Sequence, residues 1–132
     1  MEKTLQDKLY TKYPRIFINK DKTKFESPLY YGLCCGSGWF DLIDHLCSSI
    51  QDYLDRNPEV HQVEANQVKE KFGYLNFYTS GGDSTTFEMI RDAESKSRSV
   101  CETCGSTEDV ARGKGSWIKY LCINCRNEAD NI

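Results

Sequence analysis

The sequence predicts an α+β fold: a small antiparallel sheet packed by helices, with a zinc ribbon at the C-terminus. Three observations lead there. Residues 39–56 carry an amphipathic helix pattern, residues 60–79 concentrate β-branched and aromatic side chains around a glycine, and two Cys-x-x-Cys pairs stand near the end of the chain. The expected division is an α+β domain over 1–99 and a four-cysteine zinc ribbon over 100–132.

Residues 4–13 read as a short helix, with Leu5, Leu9 and Tyr13 four apart, Thr4 as N-cap and Pro14 as the stop. Arg15–Ile18 reads as a short strand leading into the mostly basic loop NKDKTK. Pro28 and three glycines make residues 25–38 irregular.

On the helix expected over 39–56, Trp39, Leu42, Ile43, Leu46, Cys47, Ile50, Tyr53 and Leu54 share one broad face. At about 100° per residue, Asp41, Asp44, Asp52 and Asp55 fall within roughly 80° of one another on the other side. Ser37 or Gly38 caps the start, where Asp41 also meets the helix dipole, and Asn57-Pro58 ends it. The acidic stripe is either a solvated face or a surface for a basic partner.

Gly73 sits between KEKF and YLNFY as a hairpin turn requires. Lys69, Lys71 and the aromatics there superficially resemble a base-stacking strand, although alternate aromatics on a half-buried strand belong to a core. SGGDS is a turn. A helix over 85–99 follows, with Thr85 and Glu88 as a capping box and Asp92/Lys96 and Glu94/Arg98 as i,i+4 pairs.

Cys101-x2-Cys104 and Cys122-x2-Cys125, separated by 17 residues, have the spacing of a tetrahedral site. Gly105 suits the tight turn that points backbone amides at metal-bound sulfur. Val110–Arg112 and Trp117–Leu121 can pair across Gly113-Lys114-Gly115. So short a segment has little core, and one structural Zn2+ would supply on the order of 10 kcal/mol. Four thiolates leave no open position for catalysis. An iron–sulfur centre or a redox pair are the competing readings; the hairpin between the pairs favours zinc.

The 132 residues are 39% apolar and 12% aromatic, enough for a modest core. No apolar run approaches the roughly 20 residues of a membrane span, and MEKTLQDKLY lacks a signal-peptide stretch. With an odd count of seven cysteines, this points to a reducing compartment, the cytoplasm. Net charge is +4 over residues 1–24, −8 over 25–95 and +1 over 96–132. The acidic middle argues against broad phosphate neutralisation. Arg112, Lys114, Trp117 and Lys119 form a local basic–aromatic cluster that could meet nucleic acid. Cys34, Cys35 and Cys47 read as core or near-core thiols, and His45 and His61 have no nucleophile beside them in sequence. SGSGW and SGGDS match no phosphate-binding fingerprint. An enzyme or small-nucleotide sequestering protein is therefore the least supported class.

Gly36-Ser37-Gly38-Trp39-Phe40-Asp41-Leu42-Ile43, then Gln67-Val68-Lys69-Glu70-Lys71-Phe72-Gly73-Tyr74-Leu75-Asn76-Phe77-Tyr78, then Cys101-Glu102-Thr103-Cys104-Gly105 follow one another in this order. Over about residues 10–126, this set resembles a family of small phage, prophage and bacterial proteins. Their pattern is a GxGW helix start, a KEKFGxLxFY strand block and a C-terminal four-cysteine zinc ribbon. Ser37 stands where that family usually has an acidic residue, and Asn76 where it usually has arginine. The first change weakens a functional role for a carboxylate at the helix start, and the second removes a positive charge from the hairpin and so counts against phosphate binding there. The resemblance implies an intracellular, phage- or prophage-encoded protein and supplies no reaction. By analogy it suggests a protein that binds and modulates a host protein or complex, such as a defence system.

Overall fold

The computed structural model describes residues 1–130, Asp130 through its backbone alone; the last two positions of the expected ribbon lie outside them. The fold is α+β, with a three-stranded sheet, a separate two-stranded hairpin and four α-helices among the described residues.

Helix α1 (Lys3–Lys12) buries Leu9 and closes where the Tyr13 N–H donates to the Leu9 carbonyl at 2.9 Å. Its cap position is Glu2, not Thr4, and carries no side-chain cap. Arg15–Ile18 is not a strand. Ile16 and Phe17 are both fully buried, whereas neighbours on a strand point to opposite faces, so turns replace it and run into a 3-10 turn at Ile18–Asp21. One ladder-like bond survives, from the Ala65 N–H to the Ile16 carbonyl at 2.8 Å. Ser27 caps a 3-10 turn at Pro28–Tyr31, and strand β1 (Leu33–Cys34) follows.

Helix α2 (Phe40–Arg56) buries Ile43, Leu46, Cys47, Ile50 and Leu54, the face expected for it. Neither Ser37 nor Gly38 caps it through a side chain. A 3-10 turn at Ser37–Trp39 leads in, and Trp39 takes the cap position, wholly buried.

Strands β2 (Glu64–Lys71) and β3 (Tyr74–Ser80) form an antiparallel hairpin, with Val68 opposite Phe77 and a bulge between Ala65 and Gln67. Phe72 (φ 55°) and Gly73 (φ 88°) make its two-residue turn, both left-handed, as the twist of a tight hairpin demands. Strand β1 joins β2 in parallel, so the sheet is mixed and not purely antiparallel; two residues are too few to leave a sequence pattern. Ala65, Val68, Leu75 and Phe77 enter the same buried core as the apolar face of α2.

Helix α3 (Ser84–Lys96) lies along the outer edge of β3. Ser97 Oγ accepts from the Leu75 N–H and Glu94 Oε2 from the Phe77 N–H, each at 2.9 Å. Its capping box is formed by Asp83 and Thr86, not by the expected Thr85 and Glu88. Glu94 is therefore drawn to the strand edge and away from Arg98, and Asp92 makes no ion pair with Lys96 among the described residues. Beyond a 3-10 turn at Ser97–Ser99, the terminal segment pairs β4 (Ala111–Arg112) with β5 (Tyr120–Leu121) and adds helix α4 (Ile123–Asp130). No helix among the described residues is long and apolar enough to cross a membrane.

Candidate metal centre

The Sγ atoms of Cys101, Cys104, Cys122 and Cys125 all lie within 4.8 Å of one another, with Cys104 and Cys122 3.6 Å apart. Four sulfurs about 2.3 Å from one ion stand about 3.8 Å from each other, so the cluster fits a tetrahedral metal. Two local devices build it. Gly105, at φ +82°, turns the first knuckle back so that its N–H donates to the Cys101 carbonyl at 2.9 Å. The second pair straddles the start of α4, where one helical turn brings Cys125 round to Cys122.

Burial raises the Cys101 thiol, but the N–H groups of Cys122, Cys104 and Thr103 outweigh it and lower the thiol to about 7. Cys125 is raised, by burial first and then by the neighbouring thiols. Of these two thiols, Cys101 is therefore the one that ionises more readily. The arrangement could hold one metal ion, with no open position for substrate.

The three motifs singled out in the sequence meet along one seam between the body and the terminal segment. Glu102, between the paired cysteines, is 3% exposed. Its carboxylate accepts from the Gly36 N–H at 2.8 Å and lies 3.3 Å from Lys119 Nζ, which is also 3.8 Å from Glu70. Its carbonyl accepts from the Gly38 N–H at 2.8 Å, and Trp39 Nε1 donates to the Val100 carbonyl at 3.0 Å. A Cβ on Gly36 would stand 2.2 Å from the Glu102 carbonyl oxygen, and one on Gly38 2.2 Å from that of Cys101. Gly73 lies close under Ile118 and Tyr120. Gly36 and Gly38 are therefore the seat of the first cysteine knuckle, and Gly73 that of the ribbon hairpin. Glu102 escaped the sequence reading; an acid placed between metal thiolates, where its charge is unwelcome, was the available signal.

The acidic stripe lies on the solvent side of α2. Asp44 pairs with Lys12 at 2.7 Å and accepts from Tyr13 Oη, Asp55 pairs with Arg15 at 3.0 Å, and Asp52 with Arg56 at 2.6 Å. Asp41 has no such partner among the described residues. In the basic–aromatic cluster, Arg112, Lys114 and Trp117 are exposed, Trp117 by 74%, while Lys119 turns into the seam.

Cys47 is fully buried and Cys35 nearly so, with its thiol pushed up to about 12, chiefly by burial. Cys34 is exposed. His45, Ser49 and Asp92 line one groove of about 130 Å³ between α2 and α3, but no hydrogen bond joins them among the described residues. No family model, curated protein or solved structure matches the chain.

Proposed function

We propose that the chain is a zinc-ribbon binding protein that works by contact and not by catalysis, and that its partner is a nucleic acid. The tetrathiolate would take one structural Zn2+, which makes the hairpin a rigid extension of the body. The observation that carries the partner is the distribution of unsatisfied charge. Lys114 lines one groove with exposed Trp117, and neither it nor the exposed Arg112 of β4 has an acidic partner among the described residues, whereas three of the four α2 aspartates are neutralised within the chain. Free cations beside an exposed indole suit a phosphate chain with stacking bases.

The test is binding of labelled oligonucleotides to zinc-loaded protein over a salt series, with metal content read by native mass spectrometry. One zinc per chain and affinity that falls steeply with salt are expected. Absent or salt-insensitive binding would remove the nucleic-acid reading. No metal, or iron with sulfide, would remove the zinc reading.

A second reading rests on the resemblance and on Asp41, the stripe carboxylate without an ion-pair partner among the described residues. It is a phage-encoded protein that docks on a basic surface of a host protein or complex, through Asp41, Asp44, Asp52 and Asp55. Recovery of one specific host protein with the native chain, lost with Asp41→Lys, would favour it.

A further inference from the structure

We infer that the outward face of the β2–β3 hairpin is a platform for single-stranded nucleic acid, an inference that rests on the nucleic-acid reading above. The register fixes which side chains share this face. With Val68 and Phe77 directed into the core, the alternate cross-strand pairs Gln67–Tyr78, Lys69–Asn76 and Lys71–Tyr74 point the other way. Neither tyrosine packs against the core cluster, and Tyr78 is 44% exposed. A face built only to be solvated has no use for two aromatic rings spaced along it.

Charge selects the occupant. Lys69 and Lys71 have no acidic partner among the described residues, and Arg98 places its guanidinium 4.4 Å over the Tyr74 ring. The carboxylates of the hairpin and of α3 beside it that the contacts place lie off this face or at its end. Glu70 faces the seam and Glu94 the outer edge of β3, which leaves Glu64, opposite Ser80, at the far end of the face. Tyr74 and Tyr78 are four residues apart, about 13 Å along the strand, a span for two or three splayed nucleotides. A duplex keeps its bases stacked inside and offers these rings nothing. A stretched single strand can lay bases on Tyr78 and on the Arg98–Tyr74 stack, with Lys69 and Lys71 reaching its phosphates. Asn76, between the two rings, is buried and donates to the Tyr74 carbonyl, so contact with a bound strand falls to the rings and to Lys69, Lys71 and Arg98.

The experiment uses the full zinc-loaded chain and a labelled mixed-sequence 12-nucleotide strand, as DNA and as RNA, with the matching DNA duplex as competitor. The single strand, of either sugar, is expected to bind about tenfold more tightly than the duplex, or better. Tyr78→Ala and Lys71→Glu are each expected to weaken it about tenfold, and Tyr78→Phe to retain binding. Melting curves of the variants identify any loss that is merely unfolding, and the exposed Lys71 reports independently of it. If Tyr78→Ala and Lys71→Glu bind within twofold of the parent while Trp117→Ala does not, nucleic-acid binding stands and the sheet-face platform is overturned. Preference for the duplex also overturns the platform. If the parent binds no polynucleotide at low salt, the underlying reading fails as well, and a protein partner replaces it.

Discussion

Glu102 is the side chain on which the metal knuckle and the body depend most directly. Its carboxylate serves a backbone N–H and a lysine in a place almost closed to water, so deleting it strands both. Glu102→Ala is expected to cost about 2–3 kcal/mol in urea unfolding of the zinc-loaded protein, and Glu102→Gln, which keeps an acceptor for Gly36, distinctly less. Equal losses would show that packing and not this hydrogen bond holds the seam. Glu94 poses the opposite problem. Burial raises its carboxyl above the ordinary range, with the Phe77 N–H and Arg91 pulling it back. A raised folded-state value means that the native state holds this proton more tightly than the unfolded chain. The resulting stability is present at low pH and lost as pH rises through the folded value. Glu94→Gln, which still offers an oxygen to Phe77, is therefore expected to raise the urea midpoint at pH 7 and to give no gain near pH 4. These two acids show where reading the sequence stops. The cluster of Cys101, Cys104, Cys122 and Cys125 was legible because a tetrahedral metal site imposes a spacing on its thiols, whereas Glu102 and Glu94 act across 66 and 17 residues of chain, which no local pattern records.

The longer elements were legible, because periodicity needs length. Helix α2 buries the face its pattern marks, and the β2–β3 hairpin turns at the glycine that marks it. Beside these, β1 and the ribbon strands are two residues each, and packing, not propensity, sets their limits. Helix α4 stayed hidden because its sequence, INCRNEAD, has almost no apolar stripe. The aromatics of β3 divided: Phe77 entered the core as alternation requires, while Tyr78 went to the open face. The hairpin turn holds a residue poorly suited to it. Phe72 occupies a left-handed position and is 63% exposed, so it incurs backbone strain and recovers little burial. Phe72→Asn, which tolerates that conformation, is expected to stabilise the protein by about 1 kcal/mol in thermal unfolding. A loss instead would mean that the ring makes a contact worth more than the strain.

Across the whole molecule, the three motifs form one seam, so body and ribbon should not melt independently. Chelation is expected to lower the melting temperature of the entire chain and to raise amide exchange around Gly36–Trp39 as well as in the ribbon. Two separate calorimetric transitions with metal bound would contradict this. The same closure holds at the margins of the sheet. Ser97 and Glu94 occupy the outward N–H groups of Leu75 and Phe77 on β3, while Gln6 Oε1 accepts from Leu33 at 2.8 Å on the opposite side. A strand from a neighbouring copy finds few free donors there, so crowding should not drive the chains into edge-to-edge aggregates. The safeguard hangs on a few side chains. Glu94→Ala would leave the Phe77 N–H bare, and growth of light scattering at high concentration, followed well below the variant's own melting temperature, would reveal how much solubility one carboxylate protects.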